Sequence, residues 1–210
     1  MRIMMEGEGC SLCVLESKEV NRYLGGLLYE HVNERGIRKN LVESRGFCPR
    51  HGHLLAAMSD GTGVAILYKD QLQLFSSFLE SLKSESPRKS LPLEWTVPGK
   101  CPACVYQDNT RNRFMKNFLE VISLPEGMDA FSGSKGLCVP HFLLVLSNPG
   151  KEEALRELIP AVREKFSHLI DEVKEFIRRQ DFRYGNDDFG KERDAWRRAL
   201  EMMVGGEDLF

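Results

Sequence analysis

Residues 46–51 read Gly-Phe-Cys-Pro-Arg-His, and residues 136–141 read Gly-Leu-Cys-Val-Pro-His. Each is a Cys-x-x-His step, and each follows a Cys-x-x-Cys step. Cys10 and Cys13 precede the first; Cys101 and Cys104 precede the second. The gaps are 34 and 33 residues. A shift of 91 lays Tyr23, Leu24, Leu27 and Leu28 on Phe114, Met115, Phe118 and Leu119. A shift of 90 lays Gly46 on Gly136 and Leu54-Leu55 on Leu144-Val145. Apolar residues at i, i+1, i+4 and i+5 in both copies form one helical face. The chain therefore reads as a duplicated unit.

The remaining signals are helical as well. The pattern predicts a helix from about Ser11 to Glu34, with Gly36 as an interruption. A second helix starts near Pro49, because proline suits a first turn. Asp60-Gly61-Thr62-Gly63 reads as a turn, and a third helix runs to about Ser84 with Val64, Leu67, Tyr68, Phe75, Phe78, Leu79 and Leu82 on one side. In the second copy the last helix spans about Lys151 to Gln180. Its apolar stripe, from Leu155 to Ile177, is read as core ahead of a dimer surface. Pro160 should kink that helix or reset its start. A final amphipathic helix, about Gly190 to Val204, carries Trp196, Leu200 and Met203. No strand alternation is present. The expected fold is all-α, a duplicated helical unit with a Cys3His knuckle in each copy, packed as a helical bundle. The expected divisions are 1–84, a proline-rich connection at 85–100, a second unit at 101–184 and a C-terminal helix at 185–210.

The cysteines carry the chemistry. Two thiolates in Cys-x-x-Cys reach one ion when the chain turns tightly, and Gly9 and Pro102 favour such a turn. Cys48 with His51, and Cys138 with His141, share a face at a helix start. Nearby backbone N–H groups and the helix dipole favour the thiolate there. Three thiolates and an imidazole suit tetrahedral Zn²⁺ and leave no open position for water. The expectation is two structural zinc ions per chain, on Cys10, Cys13, Cys48 and His51 and on Cys101, Cys104, Cys138 and His141. Equal gaps favour pairing within each copy. Crossed pairing, Cys10 and Cys13 with Cys138 and His141, stays open. Disulfides and iron–sulfur ligation are the alternatives; iron–sulfur sites commonly use four cysteines. A thioredoxin-like reading lacks its βαβ context.

Other features read more plainly. His53 falls opposite Leu143 in the repeat, so it is expected to be a helix residue, as are His31 and His168. Gly61-Thr62-Gly63 lacks the lysine and the preceding strand of a phosphate loop. The basic residues Arg35, Arg38, Lys39, Arg45 and Arg50, with Arg111, Arg113, Lys116 and Lys135 in the second copy, could form a nucleic-acid surface. Interleaved Glu34 and Glu43 favour a solvated face. The charged run at 181–188 is explained by a turn between helices.

The chain has 210 residues, is 42% hydrophobic and 29% charged, and carries a formal charge of -2. These values are ordinary for a globular protein and exclude a broadly basic nucleic-acid coat. No apolar run approaches the ~20 residues of a membrane helix, and the start lacks a signal-peptide pattern. The expectation is a cytoplasmic protein, where cysteines serve as ligands more often than as disulfides. No nucleophile or acid–base constellation is visible, which leans away from an enzyme. The partner is expected to be another protein or a second copy.

SLCVLE at 11–16, YLGGLLYEHVN at 23–33, GFCPRH at 46–51, AILYKD at 65–70, CPAC at 101–104, GLCVPH at 136–141 and DAWRRALEMMVG at 194–205 resemble a family of uncharacterised bacterial and archaeal proteins classed as a domain of unknown function. The resemblance spans nearly the whole chain. It implies a helical, metal-binding protein and supplies no activity, substrate or partner.

Overall fold

The computed structural model of the chain describes residues 9–58, 60–82, 95, 99–181, 190–207 and 209–210. Among these residues every regular element is helical, as the sequence predicts. α1 spans Ser11–Gly26 and passes into a π-helical turn at Leu27–His31. Then come α2 (Arg35–Glu43), α3 (Pro49–Ala56), α4 (Gly61–Ser81), α5 (Pro102–Ile122), α6 (Pro125–Gly133), α7 (Val139–Leu146) and α8 (Glu152–Arg179). A 3-10 turn at Lys191–Asp194 leads into α9 (Ala195–Val204). None of the described helices is long and apolar enough to cross a membrane.

Helix boundaries follow local chemistry. α3 and α6 open on proline, whose missing N–H costs nothing in a first turn. α8 has Glu152 and Glu153 in its first turn and Arg178 and Arg179 in its last, matching the helix dipole at both ends. Two expectations change, and of the two outcomes expected at Pro160 one drops out. The first helix breaks after His31, not at Gly36, because Glu34 takes an extended backbone and Gly36 lies inside α2. Asp60 to Gly63 is not a free turn. The Asp60 carboxylate accepts the Gly63 N–H at 2.9 Å and caps α4, which starts at Gly61. α8 runs through Pro160 without resetting its start. The connection expected at 85–100 lies outside the described residues except for Trp95, Gly99 and Lys100. So does the charged run beyond Asp181.

The chain forms two compact units, and their boundaries differ from the sequence divisions. One comprises residues 1–17 with 111–210; the other comprises 18–110. α1 and α5 are therefore each divided between units. The first unit packs Leu12, Phe118, Phe131, Leu137, Val145 and Leu158, all essentially buried, with the two phenyl rings edge to face at 5.8 Å. α9 packs against α8 in this unit. The α8 stripe is core at Leu155, Leu158 and Val162, but Ile170 and Ile177 are exposed. The second unit buries Leu24, Leu27, Leu41, Leu55 and Leu67. Each such side chain removed from water contributes about 1.5–3 kcal/mol.

Candidate metal centres

The described Cys and His ligand candidates gather into two quartets, and the pairing is crossed. Cys10, Cys13, Cys138 and His141 form the first; Cys48, His51, Cys101 and Cys104 form the second. Within each quartet the ligand atoms all lie within 4.8 Å of one another. Pairing within each sequence copy is thus corrected. Each Cys-x-x-Cys step meets the Cys-x-x-His step of the other copy, and each quartet falls inside one compact unit. The equal gaps could not decide this, because they are the same for either pairing.

Each quartet is built from two helix N-termini. Cys48 and Cys138 are the N-cap residues of α3 and α7. Their carbonyls accept the first helical N–H, from Gly52 and Phe142, at 2.9 Å. Cys10 and Cys101 stand just before α1 and α5, and their carbonyls accept from Val14 and Val105 at 3.1 and 3.0 Å. The second ligand of each pair sits three residues on, on the same face. The positive ends of two helix dipoles therefore converge on each set of thiols. Gly46 and Gly136 both have φ +94°, which aims the chain into the N-cap cysteine. Only glycine adopts that conformation without strain.

In the first quartet the Cys13 and Cys138 sulfurs are 3.5 Å apart. The Nδ1 of His141 lies 3.6, 3.3 and 3.2 Å from Cys10, Cys13 and Cys138. Its Nε2 is 3.0 Å from the buried Glu16 carboxylate. Arg111 holds Glu16 through two bonds, at 3.0 and 2.5 Å, and donates to the Leu209 carbonyl at 2.6 Å. The Phe210 ring sits edge-on to His141 and beneath the Arg111 guanidinium. The Gly206 N–H donates to Cys13 Sγ at 3.2 Å. All four ligands are buried.

The second quartet has the same core and different surroundings. The Cys48 and Cys104 sulfurs are 3.7 Å apart. His51 Nδ1 is 3.3, 3.7 and 3.4 Å from Cys48, Cys101 and Cys104. Cys101 and His51 are buried, while Cys48 and Cys104 are partly exposed. Arg50 donates to the buried Gln107 side chain at 2.6 Å.

These contacts set the proton positions. Burial resists ionisation of Cys10, but hydrogen bonds from Cys13, Cys138 and His141 outweigh it and hold the thiol well below its usual range. Hydrogen bonding to Cys10 and Cys138, with burial, pushes Cys13 up. Burial disfavours the His141 imidazolium, yet its bonds to Cys10, Cys138 and Glu16 raise it to about 11. In the second quartet, burial opposes the Cys48 thiolate, while the His51 backbone N–H, Cys104, Cys101 and Arg50 lower it overall. Burial, then the charge of Cys101, pushes Cys104 up to about 12.

His53 is exposed and lies outside both quartets, as do His31 and His168. Sequence reading missed Glu16 and Gln107. Both stand three residues after the second cysteine of their pair, so Cys-x-x-Cys-x-x-Glu/Gln was the available signal. It also missed Ser44 and Ser134, each two residues before the turn glycine. The Ser44 hydroxyl donates to the Gly46 carbonyl at 2.9 Å, and the Gly136 N–H donates to the Ser134 hydroxyl at 3.1 Å.

Comparison with known proteins agrees with this picture and adds no activity. The chain is 24% identical over 200 residues to an uncharacterized 23.9 kDa protein in the xynA 3' region of Caldicellulosiruptor sp. (strain Rt8B.4). The match covers 93% of this chain and 95% of that protein. No solved structure matches. A family model matches residues 2–208, nearly the whole chain including both quartets, and the protein therefore belongs to DUF6062, a family of unknown function.

Proposed function

We propose that this is a zinc protein with two structural Cys3His centres, on Cys10, Cys13, Cys138 and His141 and on Cys48, His51, Cys101 and Cys104, acting as a helical interaction scaffold in the cytoplasm. One observation carries the metal reading: the spacing of the donor atoms. With Zn–S of about 2.3 Å and Zn–N of about 2.0–2.1 Å, a tetrahedral site has edges of about 3.8 Å between sulfurs and about 3.6 Å from sulfur to nitrogen. One sulfur pair in each quartet stands at 3.5 and 3.7 Å, the sulfur–nitrogen pairs stand at 3.2–3.7 Å, and all donor atoms of a quartet lie within 4.8 Å of one another. Disulfides need sulfurs about 2.05 Å apart, and all six cysteines are free. The compactness of each quartet favours one ion over a multi-iron cluster. Four protein donors fill a tetrahedral ion, which argues for a structural role over a hydrolytic one.

Partner preference rests on the surface. Trp196, Leu200, Met203 and Val204 lie at i, i+4, i+7 and i+8 of α9 and are all more than half exposed. Such a stripe suits another protein or a second copy of this chain. Among the described residues, three of the nine basic residues considered for a nucleic-acid surface are engaged by acids at home: Arg38 with Asp70, Lys39 with Glu43 and Arg111 with Glu16. That weighs against a nucleic-acid surface.

The test is metal analysis of the reduced, purified protein. About two zinc per chain is expected, falling to about one in Cys48→Ser and in Cys138→Ser. Protein folded without bound metal would overturn the reading, and a coloured, iron-containing protein would replace zinc with iron.

A further inference from the structure

The two quartets share ligand geometry but not access. In the first, every ligand is buried, with Cys138 at 0% and His141 at 1% exposure. The segment after α9 closes over it: Gly206 bonds Cys13, Leu209 anchors Arg111 and Phe210 covers the His141 edge. Glu16, locked by Arg111, accepts from His141 Nε2 and fixes the ring with Nδ1 toward the thiols. A carboxylate bonded to one ring nitrogen raises the basicity of the other.

In the second, two ligands are buried and two are at the rim. Cys101 and His51 are enclosed, while Cys48 and Cys104 reach solvent and neighbour each other at 3.7 Å. The residue matching Glu16 is the neutral Gln107, and a cation, Arg50, stands beside it. A cation near the rim attracts an anionic incoming ligand.

Resting on the reading that both quartets hold an ion, we propose that the second centre is an exchangeable metal site, trading its divalent ion with low-molecular-weight thiols, while the first retains its ion. Exchange is ligand substitution with no change of oxidation state. An incoming thiol, RSH, places its sulfur on the ion. Its proton passes to the Cys104 or Cys48 sulfur that leaves, so one metal–sulfur bond forms for each one broken. Cys101 and His51 would hold the ion from the buried side after both rim sulfurs are replaced, and it would leave only when further incoming thiols or the acceptor's donors replace these two in turn, one bond formed for each one broken. No such stepwise route exists at the first centre, because no ligand there can be approached before the covering segment and the Glu16–Arg111 pair are disturbed.

The experiment uses the full-length, zinc-loaded protein, a chromophoric zinc chelator as acceptor and reduced glutathione as the thiol. Release should occur in two phases of one ion each, with rates at least tenfold apart. Only the fast phase should accelerate with glutathione. The phases are assigned on the unaltered chain loaded with cadmium-113. Of its two resonances, the one coupled to the β-protons of Cys48, Cys101 and Cys104 should be the one that glutathione perturbs. Fewer than two ions at the start would overturn the metal reading itself. Two ions leaving at one rate, a fast phase indifferent to glutathione, or prior loss from the Cys10, Cys13 and Cys138 site would each overturn this inference and leave that reading intact.

Discussion

The two centres are near copies in their backbone and opposites in their surroundings. Both place a cysteine at a helix N-cap after a glycine at φ +94°, a histidine three residues on, and a Cys-x-x-Cys pair at the start of another helix. Yet one sits by a charged Glu16–Arg111 pair, and the corresponding Gln107 of the other is a neutral amide bonded by Arg50. The repeat specifies the geometry of each Cys/His quartet; what surrounds the quartets is not repeated.

The largest effect should come from removing a ligand. Structural zinc is worth about 10–16 kcal/mol in small peptides. Cys138→Ser should therefore cost its unit more than about 4–5 kcal/mol, the range of exceptional single substitutions. Cys48→Ser should lose its ion as well but cost less, because at its partly exposed rim position the freed donors are met by water. Trp95 and Trp196 fall one in each unit, so versions keeping a single tryptophan report each unit's unfolding separately. Equal losses in both units would break the comparison.

Next comes the charge beside each histidine. Glu16 is 1% exposed and Arg111 is 16% exposed in their side chains. Arg111→Ala takes the guanidinium from the buried Glu16 carboxylate, which keeps its contact to His141, and should cost about 3 kcal/mol. Arg50→Ala removes one bond to a neutral amide at a partly exposed site and should cost about 1 kcal/mol. Urea unfolding of the metal-loaded variants measures both, and a reversed order would show that Glu16 finds another partner.

Protonation separates the centres differently. Before ion uptake, the first centre carries protons on Cys13 and on His141, which is raised to about 11; the second carries one on Cys104, raised to about 12. The sign follows directly. Protons held by the ion-free ligands compete with the metal, so affinity rises with pH below those values and falls as pH drops. Each displaced proton adds about a tenfold change per pH unit. The first centre should release at least two protons on uptake and the second at least one. Calorimetry in buffers of different ionisation enthalpy counts them, and fewer than two at the first centre or none at the second would overturn the expectation.

The pattern of residues made all eight members of the two Cys/His quartets legible, along with the all-helical class. Repeated Cys-x-x-Cys and Cys-x-x-His steps are local signals, read from spacing alone. Pairing was not legible, because near-equal gaps of 34 and 33 residues do not say which Cys-x-x-His step each Cys-x-x-Cys step meets. Only the packing of Leu12 with Phe118 and Leu137, and of Leu24 with Leu55 and Leu67, selects the crossed arrangement. The break after His31 was also hidden, because Gly36 was the stronger breaker by composition while the extended Glu34 carries no such mark. Glu16 was visible as a letter but not as a partner, since its role depends on Arg111, 95 residues away.

The smallest difference lies in the two turn glycines. Gly46→Ala and Gly136→Ala both force a side chain into φ +94°, which costs about 1–3 kcal/mol in backbone strain. At position 46 the new Cβ meets nothing closer than Gln71 Cγ at 3.9 Å. At position 136 it meets Lys165 Cδ at 2.7 Å, so that lysine must move. Lys165 is not free to move at no cost, because its ammonium donates to the Ser132 and Ser134 carbonyls at 2.8 and 2.5 Å. Gly136→Ala should therefore cost about 1 kcal/mol more than Gly46→Ala, the worth of a weakened hydrogen bond. In the Lys165→Ala background the excess should vanish, because the displaced contact is already gone. If the excess persists there, the difference between the turns lies in their backbones, and the two centres are less alike at their N-caps than their matching φ values indicate.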